Sequence, residues 1–150
     1  MPNNLFQNIL SDLQKDLTDH FDKNFSRGGF FGKRWEPRKD GVATHLNNTG
    51  TLRRSIRSRI SGHSITFTSS TPYSAIHNEG GTIRVKSHLR TYRIKMNGKL
   101  MKVKRQVKAY NYKMPQRQFL GEYPGLDKTI DRAAKRNIEA ELKRMAKNFR

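Results

Sequence analysis

Residues 92–104, YRIKMNGKLMKVK, carry the clearest structural signal in the chain, because Asn97 and Gly98 separate two runs of alternating apolar and basic side chains. Asn-Gly favours a two-residue hairpin turn, since both central residues of that turn need a positive φ. Alternate side chains of a strand share a face. In the first run the apolar side chains are Tyr92, Ile94 and Met96, and the basic ones are Arg93 and Lys95. We predict an amphipathic β-hairpin, which needs a sheet or an assembly partner because isolated hairpins are marginal in water.

The sequence around this hairpin is strongly basic. The formal net charge is +19, and residues 48–121 contain 16 Lys or Arg against one acidic residue, Glu79. Such a field attracts polyanions, so nucleic acid or an acidic protein surface is the expected partner. A solvated basic face without a specific ligand is the alternative. The candidate contact residues are Arg84, Lys86, Arg90, Arg93, Lys95, Lys99, Lys102, Lys104, Arg105 and Lys108.

Both ends of the chain have helical periodicity. Apolar residues recur every fourth position in the first segment, at Leu5, Ile9, Leu13, Leu17 and Phe21. We expect this amphipathic helix to fade near Phe25, because residues 26–29 (SRGG) disfavour helix. A second apolar face comprises Leu126, Ile130, Ala134, Ile138, Leu142, Met145 and Phe149. It predicts a terminal helix of about 24 residues, long enough to brace a sheet and to offer a subunit contact.

Shorter elements are expected between these helices. Aromatic residues among Gly and Pro in 30–37 predict an ordered loop that covers the core edge, with an aromatic ligand platform as the alternative. Residues 49–56 predict a short helix capped by Thr49 or Thr51. Strands are predicted at 64–68 and 82–86, and a helical turn at 72–77.

This order of elements predicts an α+β fold in a single domain, residues 1–150. An N-terminal helix and a long C-terminal helix would pack on a small antiparallel sheet, with a basic β-hairpin extension at about 88–112. Hydrophobic residues make up only 33% of the chain, so the expected core is modest.

The sequence offers little for catalysis. It contains no cysteine, and its five histidines fall in no metal-ligand spacing. His77 and Glu79 are the nearest approach to a catalytic pair, which leaves a metal nuclease as a minor alternative. We expect no enzyme activity, catalytic residue, cofactor or metal. Apolar runs fall short of a signal peptide or membrane span, so we expect a cytoplasmic protein without membrane contact.

Three segments follow one another in a recognisable order. Residues 46–56 read LNNTGTLRRSI, residues 72–81 read PYSAIHNEGG, and residues 114–121 read MPQRQFLG. They resemble motifs of the phage virion-morphogenesis or tail-completion family, which includes the Mu-like G proteins: Leu-x-x-Thr-Gly-x-Leu-Arg-x-Ser-Ile, Tyr-Ala-x-x-His-x-x-Gly and Pro-x-Arg-x-Phe-Leu-Gly. Two departures are the extra Ser74 between Tyr73 and Ala75, and the long basic region before the third motif.

The resemblance implies a structural protein that acts where tail meets head. The expected partners are other neck or tail proteins and further copies of the chain in a ring, with nonspecific DNA contact also open. The expected locations are the bacterial cytoplasm during assembly, then the virion. A nucleic-acid-binding module without a virion role is the alternative function. The expected scaffold residues are Trp35, Thr49, Gly50, Leu52, Arg53, Ser55, Tyr73, His77, Gly80, Pro115, Arg117, Phe119, Leu120 and Gly121.

Overall fold

The computed structural model describes residues 3–37, 46 and 49–148. The helices are α1 (Asn3–Arg27), α2 (Thr51–Ser55), α3 (Ser74–Glu79) and α4 (Leu126–Asn148). The strands are β1 (Gly29–Phe30), β2 (Lys33–Arg34), β3 (Ile56–Ser61), β4 (Ser64–Ser69), β5 (Gly81–Val85), β6 (His88–Met96), β7 (Lys99–Val107) and β8 (Tyr110–Met114). The predicted α+β class is confirmed. Within the described residues the strands associate as antiparallel pairs, β1–β2, β3–β4, β5–β8 and β6–β7.

Helix α1 forms because apolar residues recur at intervals of three and four, which places them on one face. That face is buried at Leu10, Leu13, Leu17, Phe21 and Phe25. The helix ends at Arg27 and is followed by a glycine with φ +64°, as the breaker sequence predicts.

The aromatic segment after α1 covers the core edge, as predicted, but it contains the short β1–β2 hairpin instead of only a loop. The Phe31 ring stacks on Tyr123 with centroids 3.6 Å apart, and Phe30 and Trp35 are buried. These rings are therefore engaged in packing, and the alternative of an open aromatic platform is not supported.

Helix α4 packs on α1, although not through the face that its larger apolar residues mark. Ala133 is fully buried in the cluster that includes Leu13 and Leu17, and the Asn137 amide donates to Asp12 at 2.9 Å. Small and polar residues let the two helices approach closely. The predicted apolar face instead remains largely exposed, at Ile130, Ile138, Leu142 and Met145. Phe149, which was expected to continue that face, lies outside the described residues.

The strand pair β3–β4 lies against α1. Phe67 packs edge-to-face on Phe21 with centroids 4.9 Å apart, and the Gln14 amide donates to the Ser58 hydroxyl at 3.0 Å. The sequence predicted β4 but not β3, since 49–56 reads as a helix. Helix α2 in fact ends at Ser55, and the chain continues as the strand Ile56–Ser61 paired with β4.

The cap of α2 also differs from the expectation. Gly50 occupies the N-cap in the left-handed region with φ +67°, and no side chain caps the helix. The Thr49 hydroxyl lies 3.4 Å from the Thr51 nitrogen, which is a long contact. The Gly50 carbonyl accepts the Arg54 N–H at 2.9 Å and so begins the helical hydrogen bonding.

Strands β5 to β8 form one long two-stranded ribbon, residues 81–114. The inner ribbon is the pair β5–β8 and the outer ribbon is the pair β6–β7. The inner ribbon ends with the pair Val85–Tyr110, and the outer ribbon begins with the pair His88–Val107. Two residues separate these pairs on each side of the ribbon, so the strand register is the same in the inner and outer parts. Asn97 and Gly98 have φ values of +49° and +75°, which confirms the predicted hairpin turn.

Candidate functional site

The first and third sequence motifs meet in a buried aromatic cluster. Phe25, Trp35, Leu52 and Phe119 form this motif cluster, and Phe119 is only 1% exposed. The Trp35 indole nitrogen donates to the Gln118 carbonyl at 2.7 Å, which fixes the third motif against the segment after α1. The cluster thereby connects residues that are far apart in sequence.

Asn78 fastens the second motif to the third. Its side-chain oxygen accepts the backbone N–H groups of Phe119 at 2.9 Å and Leu120 at 3.0 Å. Asn78 was not among the scaffold residues expected from the sequence. The available signal was an amide side chain immediately before Glu79-Gly80, where a helical turn ends and a nearby chain can be held.

Arg117 and His77 lie at the same junction. The Arg117 backbone N–H donates to the His77 carbonyl at 2.7 Å, and the Arg117 guanidinium donates to the Glu36 carbonyl at 3.1 Å. Burial, together with the nearby positive charge of Arg117, lowers the pKa of His77. In the described structure the His77 Nδ1 atom is buried without a hydrogen-bond partner. A neutral imidazole is therefore favoured here.

Gly80 allows the two motifs to approach. It has φ +73° and ψ −173°, a conformation that is essentially restricted to glycine. A Cβ atom at this position would lie 2.9 Å from the Gln116 nitrogen. Pro115 beside it is partly buried, whereas Tyr73 is 41% exposed and packs edge-to-face on His77.

The first motif is tied to α1 and to β4. Arg53 donates two hydrogen bonds to Asp22, and these bonds lower the pKa of the Asp22 carboxyl. The Ser55 hydroxyl donates to the Leu52 carbonyl at 2.6 Å and lies 2.7 Å from the Ser69 hydroxyl. Arg53 and Ser55, two of the expected scaffold residues in this motif, therefore contact neighbouring elements of the fold.

The candidate basic residues all lie on the ribbon, and all are exposed. The register separates them by face, because directly paired residues point to the same side of a two-stranded ribbon. One face of the outer ribbon, here called the basic face, carries Arg93, Lys95, Lys102 and Lys104. Arg90, Lys99 and Arg105 lie at the two ends of the other face. Arg84 lies on β5, and Lys86 and Lys108 lie between the inner and outer ribbons.

Like charges oppose one another across the outer ribbon. Arg93 pairs with Lys102, and Arg90 pairs with Arg105. Directly opposed like charges destabilise a strand pair. Among the described residues, the ion pairs within 4.0 Å involve the cations Arg53, Arg136 and Arg144, none of which lies on the ribbon. An external anion would remove this repulsion.

The other face of the outer ribbon is apolar at its centre. This apolar face carries Tyr92, Ile94, Met96, Met101 and Val103. Met96 and Met101 are about half exposed, at 53% and 47%. Contiguous exposed apolar surface is typical of sites that contact a partner. The predicted division into an apolar face and a basic face is therefore confirmed by the register.

The described part of the chain gives no support for a metal nuclease. Residues 3–37, 46 and 49–148 contain no group of three or more His, Asp or Glu side chains that could hold a metal ion. His77 and Glu79 are instead part of α3 beside the motif cluster. No helix in the described ranges is long and apolar enough to cross a membrane.

Residues 3–143 match the sequence model of the phage virion morphogenesis family. The chain belongs to this family. The match includes all three motifs, both long helices nearly in full, and the entire ribbon. No curated protein and no solved structure shows significant similarity to the chain. Family membership assigns the protein a general role in phage particle assembly.

Proposed function

We propose that this phage virion morphogenesis protein is a structural component that completes the tail or joins it to the head. It carries out no catalysis in this role, and it assembles as a homo-oligomeric ring at the neck or tail end. Its other partners are neighbouring neck or tail proteins. It enters the particle from the bacterial cytoplasm during assembly. The family match and the shape of the ribbon support this proposal.

The observation that carries the proposal is an exposed ribbon that repels itself. Every residue of β6 is exposed, and the two opposed pairs of cations lie on different faces of the outer ribbon. Hydrogen bonds between two strands stabilise a lone hairpin only marginally. A long hairpin with this charge is better suited to contact with a partner than to support of its own fold.

The basic residues of the ribbon would contact an acidic neighbour or the DNA that passes through the neck. These are the ten candidates named from the sequence, Arg84 to Lys108. The expected scaffold residues, together with Asn78, would hold the inner end of the ribbon in a fixed position. The motif cluster thus serves assembly indirectly, by orienting the ribbon.

Deletion of residues 88–107 tests this proposal. Residues 86–87 and 108–109 would then connect β5 to β8 directly, so the inner ribbon is retained. We expect unjoined heads and tails to accumulate in cells infected with a phage that carries this deletion, as counted by electron microscopy. The purified variant should keep the helical circular dichroism and cooperative unfolding of the parent. Normal numbers of joined particles would refute the proposed role of the ribbon.

Two variants that lose the same number of positive charges can show whether the position of these charges or only the net charge matters. Replacing Arg93, Lys95, Lys102 and Lys104 by Gln removes four charges from the basic face. Replacing Lys128, Lys135, Lys143 and Lys147 by Gln removes four exposed charges from α4 instead. We expect the first variant to reduce joining and the second to leave it close to normal. Equal defects would show that net charge alone matters.

Sequence-nonspecific nucleic-acid binding is the second candidate, and a specific observation favours it. Tyr110 and Tyr112 are exposed on the inner ribbon, and the Arg90 guanidinium lies 5.3 Å from the Tyr92 ring centre. Aromatic and cationic groups in this combination bind single strands by stacking and phosphate contact. Affinity for a labelled oligonucleotide should then fall steeply between low and moderate salt. Salt-independent affinity would exclude this function.

A further inference from the structure

Helix α4 has an exposed face that its contact with α1 does not use. At 3.6 residues per turn, Ile130, Ala134, Ile138, Leu142 and Met145 share one side of the helix. Ile138, Leu142 and Met145 are 45%, 60% and 50% exposed. The described structure therefore leaves a continuous apolar stripe along α4 uncovered.

Charges on α4 are sorted with respect to this stripe. The same helical spacing places Asp127, Asp131 and Glu141 on the side of the stripe. The opposite half carries five cations and one acid, namely Lys128, Arg132, Arg136, Lys143, Lys147 and Glu139, and Lys135 borders the stripe beside Leu142. Arg144 lies between the halves and pairs with Glu141 at 2.6 Å. We call the side with the stripe and the three acids the acidic α4 face.

The apolar face of the outer ribbon is complementary to the acidic α4 face. Its apolar centre is bordered by Arg90 and Arg105 at one end and by Lys99 at the other, and the outer ribbon contains no acidic residue. Nine residues of strand span about 30 Å, and the 23 residues of α4 span about 35 Å. Both surfaces are thus apolar at their centres and similar in length, and their charges are opposite in sign.

We propose that the apolar face of the outer ribbon in one copy docks along the acidic α4 face of a second copy. This inference deepens the proposed function, because it rests on the expected ring and names the contact that builds it. Both surfaces remain exposed within a single chain, so the contact joins different copies. Two unlike surfaces make a head-to-tail contact, which closes into a ring when the rotation between copies permits.

Charge decides between this contact and the symmetric ones. Ribbon-to-ribbon pairing would bring Arg90 and Arg105 of one copy toward the same residues of another. Pairing of two acidic α4 faces would oppose Asp127 and Asp131 in the same way. Like charges brought together at an interface are costly, whereas ribbon-to-helix pairing sets cations against carboxylates.

Disulfide trapping tests the contact directly, because the chain contains no cysteine. One preparation carries Ile94→Cys and the other carries Ile138→Cys with a size tag. After purification at high salt, mixing at moderate salt where surface charges are not fully screened, and mild oxidation, we expect the mixed disulfide in clear excess over either symmetric dimer. Lys143→Cys, on the opposite half of α4, is the matched control and should give little mixed product. A prevalence of Ile94→Cys dimers would indicate ribbon-to-ribbon pairing and overturn the inference.

The same substitutions should be combined in one chain and assayed in purified particles, where assembly brings the copies together. We expect a ladder of disulfide-linked multiples of the chain. Absence of linked multiples in particles, together with absence of mixed dimers in solution, would overturn the inference. A charge exchange provides a second readout. Arg90→Glu with Arg105→Glu should abolish trapping, as should Asp127→Lys with Asp131→Lys, and a mixture of these two variants should restore it.

Failure of this inference can be distinguished from failure of the proposed function. If residues 88–107 are needed for joining but no linked multiples form, the ribbon has a different neighbour and only the inference fails. If linked multiples form in solution but the deletion leaves joining intact, the copies associate as inferred and the proposed function fails.

Discussion

The body of the protein around α1 and the ribbon are stabilised in different ways. Phe25 and Phe119 are 3% and 1% exposed, and buried apolar contacts of this kind dominate folding stability. In the outer ribbon, by contrast, only Val103 and Val107 are even partly buried. The ribbon depends on cross-strand hydrogen bonds and turn geometry. A single short chain therefore combines a body stabilised by buried apolar contacts with an exposed ribbon that has few of them.

The largest contrast should come from removing one aromatic ring in each region. Phe119→Ala deletes a fully buried ring from the motif cluster, and we expect a loss of about 3–5 kcal/mol in the free energy of unfolding. Tyr92→Ala, on the exposed outer ribbon, should change that free energy by less than about 0.5 kcal/mol. Urea unfolding followed by circular dichroism measures both. Similar losses would mean that the ribbon is part of the same cooperative core.

Two glycines with nearly equal φ sharpen the comparison. Gly80→Ala forces a side chain into a region restricted to glycine and toward the Gln116 nitrogen, so we expect a loss of about 3 kcal/mol. At Gly98 a Cβ atom would meet nothing within 4 Å. Gly98→Ala should therefore leave global unfolding unchanged and speed amide hydrogen exchange only in β6 and β7. Equal global losses would contradict this division.

Replacing one asparagine in the body and one in the ribbon should give a smaller difference in the free energy of unfolding. Asn78→Ala removes the acceptor of two backbone N–H groups, and we expect a loss of about 1–3 kcal/mol in the free energy of unfolding. Asn111→Ala, at an exposed position of the inner ribbon, should be nearly neutral. Thermal unfolding at constant pH compares the two. If Asn78→Ala were equally neutral, the link between the second and third motifs would not contribute to stability.

The smallest expected effect is a pH dependence confined to the body. The pKa of His77 is lowered in the folded state by burial and by Arg117, so the unfolded chain takes up the proton first. Stability should therefore decline as pH falls below the ordinary histidine value of 6.5, until the folded pKa is reached. His77→Gln should flatten the curve of melting temperature between pH 7 and pH 5. An unchanged slope would show that another group is responsible.

Protonation of Asp22 should lower the stability in a separate, more acidic pH range. Hydrogen bonds from Arg53 lower the folded pKa of Asp22 below 3.8, so this contribution is fully present above that value and is lost as pH falls through the folded pKa. The His77 comparison should therefore be made above pH 5, where Asp22 stays ionised in both states.

Local features of the fold were predictable from the sequence. The Asn97-Gly98 turn and helix α1 depend on residue preferences and spacings within a few positions of each other, and both were confirmed. The alternation of apolar and basic residues also predicted the two faces of the outer ribbon, because side-chain direction follows from strand geometry. Much of the outer ribbon is therefore encoded by neighbouring residues.

Features that depend on distant partners were not predictable. Strand β3 forms by pairing with β4. Strand β8 forms by pairing with β5, from which it is separated in sequence by the whole outer ribbon. Close packing against α1 determines which side of α4 is buried, and the small side chain of Ala133 fits this contact better than the larger apolar residues do. Asn78 has its role only because residues 119 and 120 are brought to it. Each of these depends on nonlocal contacts that no short stretch encodes.

The unbroken register of the ribbon makes its length adjustable in even steps. Two further residues on each strand would move the tip outward by about 7 Å and leave every side chain on its present face. One further residue on each strand would exchange the basic and apolar faces beyond that point. In the proposed ring, matched insertions of two residues in each strand would therefore extend the reach of the ribbon toward a neighbouring copy, with no change to the body that holds it.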